Sequence, residues 1–166
     1  MHLVRATATA MVLVCLSSYG VAQDTGGRSA LGAWSVAVDP KLGRGCFASR
    51  TYESGTVFRI GLNRLSNRGY VAIASPAWSS LQRGQAYELR LVFGSAPPRH
   101  RRATAVSLDG TMTLWMGFVD TDLIIEFMEA PTVQVWSNKQ LLNELGLQGS
   151  FDAFLEVVRC QANRQQ

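Results

Sequence analysis

The chain has 166 residues, 47% apolar and 17% charged, which excludes a disordered, collagen-like or low-complexity chain. Residues 1–22 read as removable, which leaves about 144, enough for one domain and too few for two. Residues 23–102 carry 12 basic against 4 acidic side chains, and residues 103–166 carry 3 against 8. Arg dominates the basic set, since only Lys41 and Lys139 are Lys. Such an asymmetry serves either attraction between the two halves of one fold or contact with an anionic partner, and the first is the simpler use.

The N-terminus has the pattern of a secretory signal. Arg5 gives the positive start, residues 6–16 the short apolar region, and Gly20-Val21-Ala22 the small residues around a cut after Ala22. The apolar run is too short for a good spanning helix. Cys15 would permit lipid modification, but Val14 stands where that processing wants a small side chain. The chain is therefore expected in the periplasm or secreted. Cys46 and Cys160 then remain as an even pair, most economically one disulfide. Neither a CxxC motif nor a neighbouring His supports reactive thiols or a zinc site.

Residues 23–33 read as a flexible lead, 34–161 as a single β-rich domain and 162–166 as a tail. Trp34, Val36 and Val38 alternate as a first strand, and 46–52 form a second. Phe58, Ile60 and Leu62 make a third, with Arg59 and Gly61 assigned to the opposite face; 70–74 make a fourth. Residues 75–84 form a loop around Trp78. Tyr87, Leu89, Leu91 and Phe93 give the clearest period of two. Residues 94–102 read as a Pro- and Arg-rich loop. Strands at 104–108 and 112–118 flank Asp109-Gly110, a tight-turn signal. Asp122 is placed to cap a helix over 123–129 that Ala130-Pro131 ends. A strand follows at 132–136, residues 138–145 are ambiguous, and Ser150 is placed to cap a helix over 151–161 with Phe151, Phe154, Leu155 and Val158 on its buried stripe and Val157 widening it. The class is α+β, mostly β, with an antiparallel sandwich or barrel-like core.

No catalytic set emerges. His100 is the only histidine after residue 22, no GxSxG elbow presents a serine, and flanking arginines disfavour a basic imidazole. Gly43-Arg44-Gly45 precedes a strand, so it is no phosphate loop. Asp120, Asp122 and Glu126 lack calcium-loop spacing and fit a helix N-terminus. No cofactor, no metal and no nucleic acid are expected. The binding candidates are Arg99, His100, Arg101 and Arg102, suited to anionic headgroups or an acidic protein, and Trp78.

Phe127-Met128-Glu129-Ala130, then Val133-Gln134-Val135, then Leu147-Gln148-Gly149-Ser150-Phe151-Asp152-Ala153-Phe154 with Cys160 closing the helix resemble the invasion-associated locus B family of small exported proteins. The likeness covers about 40 residues near the C-terminus, with a weaker echo at Trp34 and 56–93. The resemblance implies an exported β-rich protein of the envelope or of host contact, without known catalysis. The reading is thus a non-enzymatic exported binding protein with an unknown protein or envelope component as partner. The alternatives are a periplasmic hydrolase using carboxylates such as Asp120 and Asp122, and an inhibitor acting through loop 75–84.

Overall fold

The computed structural model describes residues 29–164. The signal segment 1–22 and Cys15 lie outside them. Ten strands form one antiparallel sheet: β1 (Ser29–Leu31), β2 (Trp34–Asp39), β3 (Gly45–Thr51), β4 (Val57–Asn63), β5 (Arg68–Ala74), β6 (Ala86–Phe93), β7 (Arg99–Leu108), β8 (Thr111–Phe118), β9 (Thr132–Ser137) and β10 (Gln140–Gly146). The order across the sheet is β1-β2-β3-β4-β5-β8-β7-β6-β9-β10. The first five strands run as a meander. A loop then carries the chain out to β6, and β6–β7–β8 fold back until β8 pairs with β5. Helix α1 (Asp122–Glu129) returns the chain to β9, beside β6, and α2 (Ser150–Ala162) packs on β2, β3 and α1.

Alternation explains the core. Trp34, Phe58, Ile60, Val71, Ile73, Leu89, Leu91, Leu114, Val133 and Val135 point to one face and form a single cluster with Leu123, Phe127, Phe154 and Val157 of the helices. Phe127 lies parallel to Phe58 at 5.7 Å, while Trp34 meets Phe127 edge-on at 5.3 Å. Phe154 closes the group at 6.3 Å from Phe127. Offset and edge geometries add to the burial of large rings.

The sheet does not close by backbone pairing; β1 and β10 remain its edges. Side chains bridge the gap instead. Arg50 Nη1 and Tyr52 Oη, from β3 and just beyond it, donate to the Gly146 carbonyl at 3.0 and 2.8 Å. Trp34 Nε1 donates to the Gln148 carbonyl at 2.9 Å, and Asn143 Nδ2 to Thr56 Oγ1 at 3.3 Å. The Cys46–Cys160 disulfide then fastens α2 to β3 across 114 positions of sequence.

Several local expectations are corrected. Ser29–Leu31, read as lead, pairs with β2. Residues 99–102, read as loop, begin β7, because pairing with β6 places Arg99 opposite Leu91 and Arg101 opposite Leu89 and overrides local composition. The ambiguous 138–145 stretch holds β10, with a bulge between Leu141 and Asn143 that disrupts its edge. Thr121, not Asp122, is the N-cap of α1, and Asp122 turns to Arg99. Gly149, in left-handed backbone, takes the N-cap place of α2, while Ser150 Oγ donates to the Met128 carbonyl. Phe151 and Val158 face solvent, since Ala153, Phe154 and Val157 are the residues that meet the sheet.

Cutting the disulfide removes a constraint on a loop of 114 positions, worth about 4–5 kcal/mol by chain entropy. A Cys46→Ser/Cys160→Ser double variant should lose about 2–5 kcal/mol, read from urea midpoints against the oxidised chain. Burial pushes the Tyr52 hydroxyl up to about 12, partly offset by Arg50. The folded state therefore holds this proton more tightly than the unfolded chain. Its contribution is complete below about pH 10 and disappears as pH rises through about 12. Tyr52→Phe should flatten the alkaline loss of stability in that window.

Candidate functional site

Strand β7 sorts the predicted arginines onto opposite faces. Ala103 and Ala105 point into the core, so Arg99 and Arg101 project on the same side, beyond its end, where α1 begins. Glu126 accepts from Arg99 Nη2 at 2.6 Å and from Nε at 2.9 Å, with Asp122 at 3.7 Å and Asp120 at 3.9 Å. Asp120 also takes Arg101 Nη2 at 2.5 Å. Donation to the Glu126 carboxylate is the main cause that holds Arg99 more firmly protonated. The three acids of the helix entry and the two arginines thus join the acidic and basic halves of the chain. The carboxylates considered for hydrolysis, Asp120 and Asp122, both stand in this cluster.

His100 and Arg102 project outward. His100 lies opposite Arg90 of β6, Arg90 opposite Trp136 of β9, and Arg102 opposite Glu88. The Arg90 guanidinium sits 4.5 Å from the Trp136 ring centre. A shallow groove of about 460 Å³ runs between Arg90, Pro98, His100, Trp136 and Lys139. Arg90, Arg102 and Lys139 make no ion pair with the described residues, in contrast to Arg99 and Arg101. Trp78 lies apart from this face. It is partly buried against the core with Leu81, so the two large apolar side chains of loop 75–84 turn inward.

A second feature lies on the outer face of β3, β4, β5 and β8. Arg59, on the face opposite Phe58 and Ile60, has a side chain only 7% exposed. It pairs with Asp39 through Nη2, donates from Nε to Tyr70 Oη at 2.7 Å, and lies 3.4 Å above the Phe47 ring centre. Gly61 makes this possible: a Cβ there would come within 2.5 Å of Phe47 Cβ. Tyr70 in turn stacks on Trp115 at 4.0 Å. Burial holds the Tyr70 hydroxyl far above its ordinary range, against the pull of Arg59. Beside Arg59 a groove of about 510 Å³ opens, walled by Phe47 and by Leu108 and Asp109 at the β7–β8 tip. Sequence reasoning missed this site. Its available signal was one Arg in an otherwise apolar strand, with Gly two residues on.

No protein-family model matches the chain, and no curated protein matches its sequence. Its fold is similar to that of invasion associated protein B from Bartonella henselae, with a TM-score of 0.59 at 10% identity, covering 81% of this chain and 98% of that one. Among the described residues no helix is long and apolar enough to cross a membrane, and no three His, Cys, Asp or Glu side chains are grouped to hold a metal.

Removing one member of a buried ion pair leaves an uncompensated charge, which costs about 3–5 kcal/mol. Asp39→Ala should show that loss in chemical denaturation. The Asp39→Leu/Arg59→Met pair should recover most of it, because neither charge is then stranded.

Proposed function

We propose that the chain is a non-enzymatic binding protein, exported to the periplasm or beyond the cell, that engages an anionic component of the envelope. The observation that carries this reading is the outward face of β6, β7 and β9. There Arg90, His100 and Lys139 line a groove with Trp136 and Glu88, and Arg102 stands opposite Glu88; none of these four basic side chains has an ion-pair partner among the described residues. A planar guanidinium presents forked donors to phosphate or carboxylate, and an aromatic ring beside it offers apolar contact. Arg99 and Arg101 take the structural part instead, through Asp120, Asp122 and Glu126.

The compartment rests on two supports. The Cys46–Cys160 bond suits an oxidising environment. The fold likeness to an invasion associated protein agrees with a place at the cell envelope.

Immobilised heparin serves as a polyanion probe. Arg90→Ala/Arg102→Ala/Lys139→Ala should elute at clearly lower salt than the parent chain, with unchanged urea stability. Arg99→Ala/Arg101→Ala should instead lose about 1–3 kcal/mol of stability, with the salt of elution little changed. Equal elution of the triple variant and the parent would remove this face from the reading.

A further inference from the structure

The groove beside Arg59 is independent of the basic face and lies on a different part of the sheet. Its floor follows the strand register. Ser49, Arg59 and Ala72 stand side by side across β3, β4 and β5, and Thr51, Val57, Ala74 and Thr113 form the next row, ending on β8. Most of these residues are small, so four adjacent strands leave a depression where a sheet face ordinarily carries bulk. The lining is predominantly apolar, and the volume of about 510 Å³ falls within the range of small-molecule sites.

One polar group marks the end of this depression. Two nitrogens of Arg59 are occupied, Nε by Tyr70 and Nη2 by Asp39. The third, Nη1, has only the Asp109 carboxylate, at 3.5 Å. That carboxylate is 69% exposed and is shared with Lys41 at 3.4 Å. It rides on the tip of the β7–β8 hairpin, where Asp109 and Gly110 both have positive φ. The Lys41–Asp109 pair is exposed on both sides and contributes little, and Asp109 reaches buried Arg59 only from its solvent side, so this carboxylate is the partner that can leave. Arg59 itself cannot withdraw, because Asp39, Tyr70 and Phe47 hold it on three sides.

The open donor then specifies the ligand. Asp39 already offsets the Arg59 charge, and Arg59 is the one cation of the groove lining. With Asp109 swung into solvent, Arg59 Nη1 is left facing the groove without an acceptor. One carboxylate replaces that acceptor; a second would find no further cation in the lining. We propose that this groove binds a monocarboxylate with an apolar body, an acyl chain or a ring, whose carboxylate replaces Asp109 at Arg59 Nη1 while its body lies along the Ala74–Thr113 row. Asp109 acts as a built-in competitor.

The test is a titration of the ¹⁵N-labelled protein with decanoate, with 1-decanol as the uncharged control. Saturable shifts are expected at Ser49, Val57, Ala74 and Thr113, with decanol at least tenfold weaker. Asp109→Asn, an exposed substitution, should bind decanoate at least threefold more tightly because the competing charge is gone. Ala74→Leu, which fills the trough away from Arg59, should abolish the shifts; Thr113→Leu repeats that test should Ala74→Leu fail to fold. The proposal is overturned by an absence of saturable shifts in both the parent and Asp109→Asn. Equal binding of decanol, an unaltered affinity in Asp109→Asn, or shifts that fall away from these strands would overturn it as well.

Discussion

The structure depends on how an open sheet is made to curl around a core it does not enclose by backbone pairing. A ten-stranded antiparallel sheet has two edges, and here β1 is too short to seal β10 along its length. Two carbonyls at the end of β10 do the joining. Gly146 accepts from Arg50 and Tyr52, and Gln148 accepts from Trp34. These bonds draw the β2–β3 end of the sheet toward the β10 end. The ring cluster of Trp34, Phe58, Phe127 and Phe154 then fills the space between them. Helix α2 lies over that seam, and the disulfide holds it against β3. The components support one another: the rings fill the space that the curled sheet leaves, and Gln148 accepts from Trp34 just before α2 begins.

Strand alternation also sorts charge. Four successive residues of β7, Arg99 to Arg102, look like one basic cluster in the sequence. A period of two divides them, two toward the acids of the α1 entry and two toward the outer face. The inward pair neutralises the acidic half of the chain where it returns to the sheet. Of the outward pair, His100 stands opposite Arg90 and so next to the Trp136 row, and Arg102 stands opposite Glu88. The side chains that join the two halves of the chain and the basic side chains left without ion pairs among the described residues therefore lie on opposite faces of the same strand.

Much of the architecture was legible because it rests on local periodicity. The β7–β8 hairpin follows from Val106 and Leu108, the Asp109-Gly110 turn and the Met112–Phe118 alternation, and the disulfide from two cysteines and a compartment argument. What failed has a common cause. Arg99–Arg102 looked like loop because strand propensity is low there, yet β6 supplies the pairing and α1 the counter-charges. Phe151 and Val158 looked buried because helical spacing alone does not say which apolar stripe meets the sheet. The sequence groups Arg99, His100, Arg101 and Arg102 in one run, but their division between two faces is not legible there, since it requires knowing where the strand begins.

Arg59 is the instructive case. An Arg in an alternating strand ordinarily lies on the wet face, and the alternation places it correctly on the outer side. That side is nonetheless buried here, because Phe47 lies under the guanidinium, Gly61 leaves the room, and the β7–β8 tip reaches over from strands far along the chain. Nothing in the strand itself encodes such a cover. A cation in that position is costly unless its donors are satisfied, and two of three nitrogens are. The third opens on a depression lined with small residues, held only by an exposed carboxylate on a turn. A purely structural ion pair gains nothing from small neighbours, since larger side chains would shield it better. The combination of a fixed cation, a loosely held competitor and an adjoining trough is the arrangement of a site that exchanges one carboxylate for another.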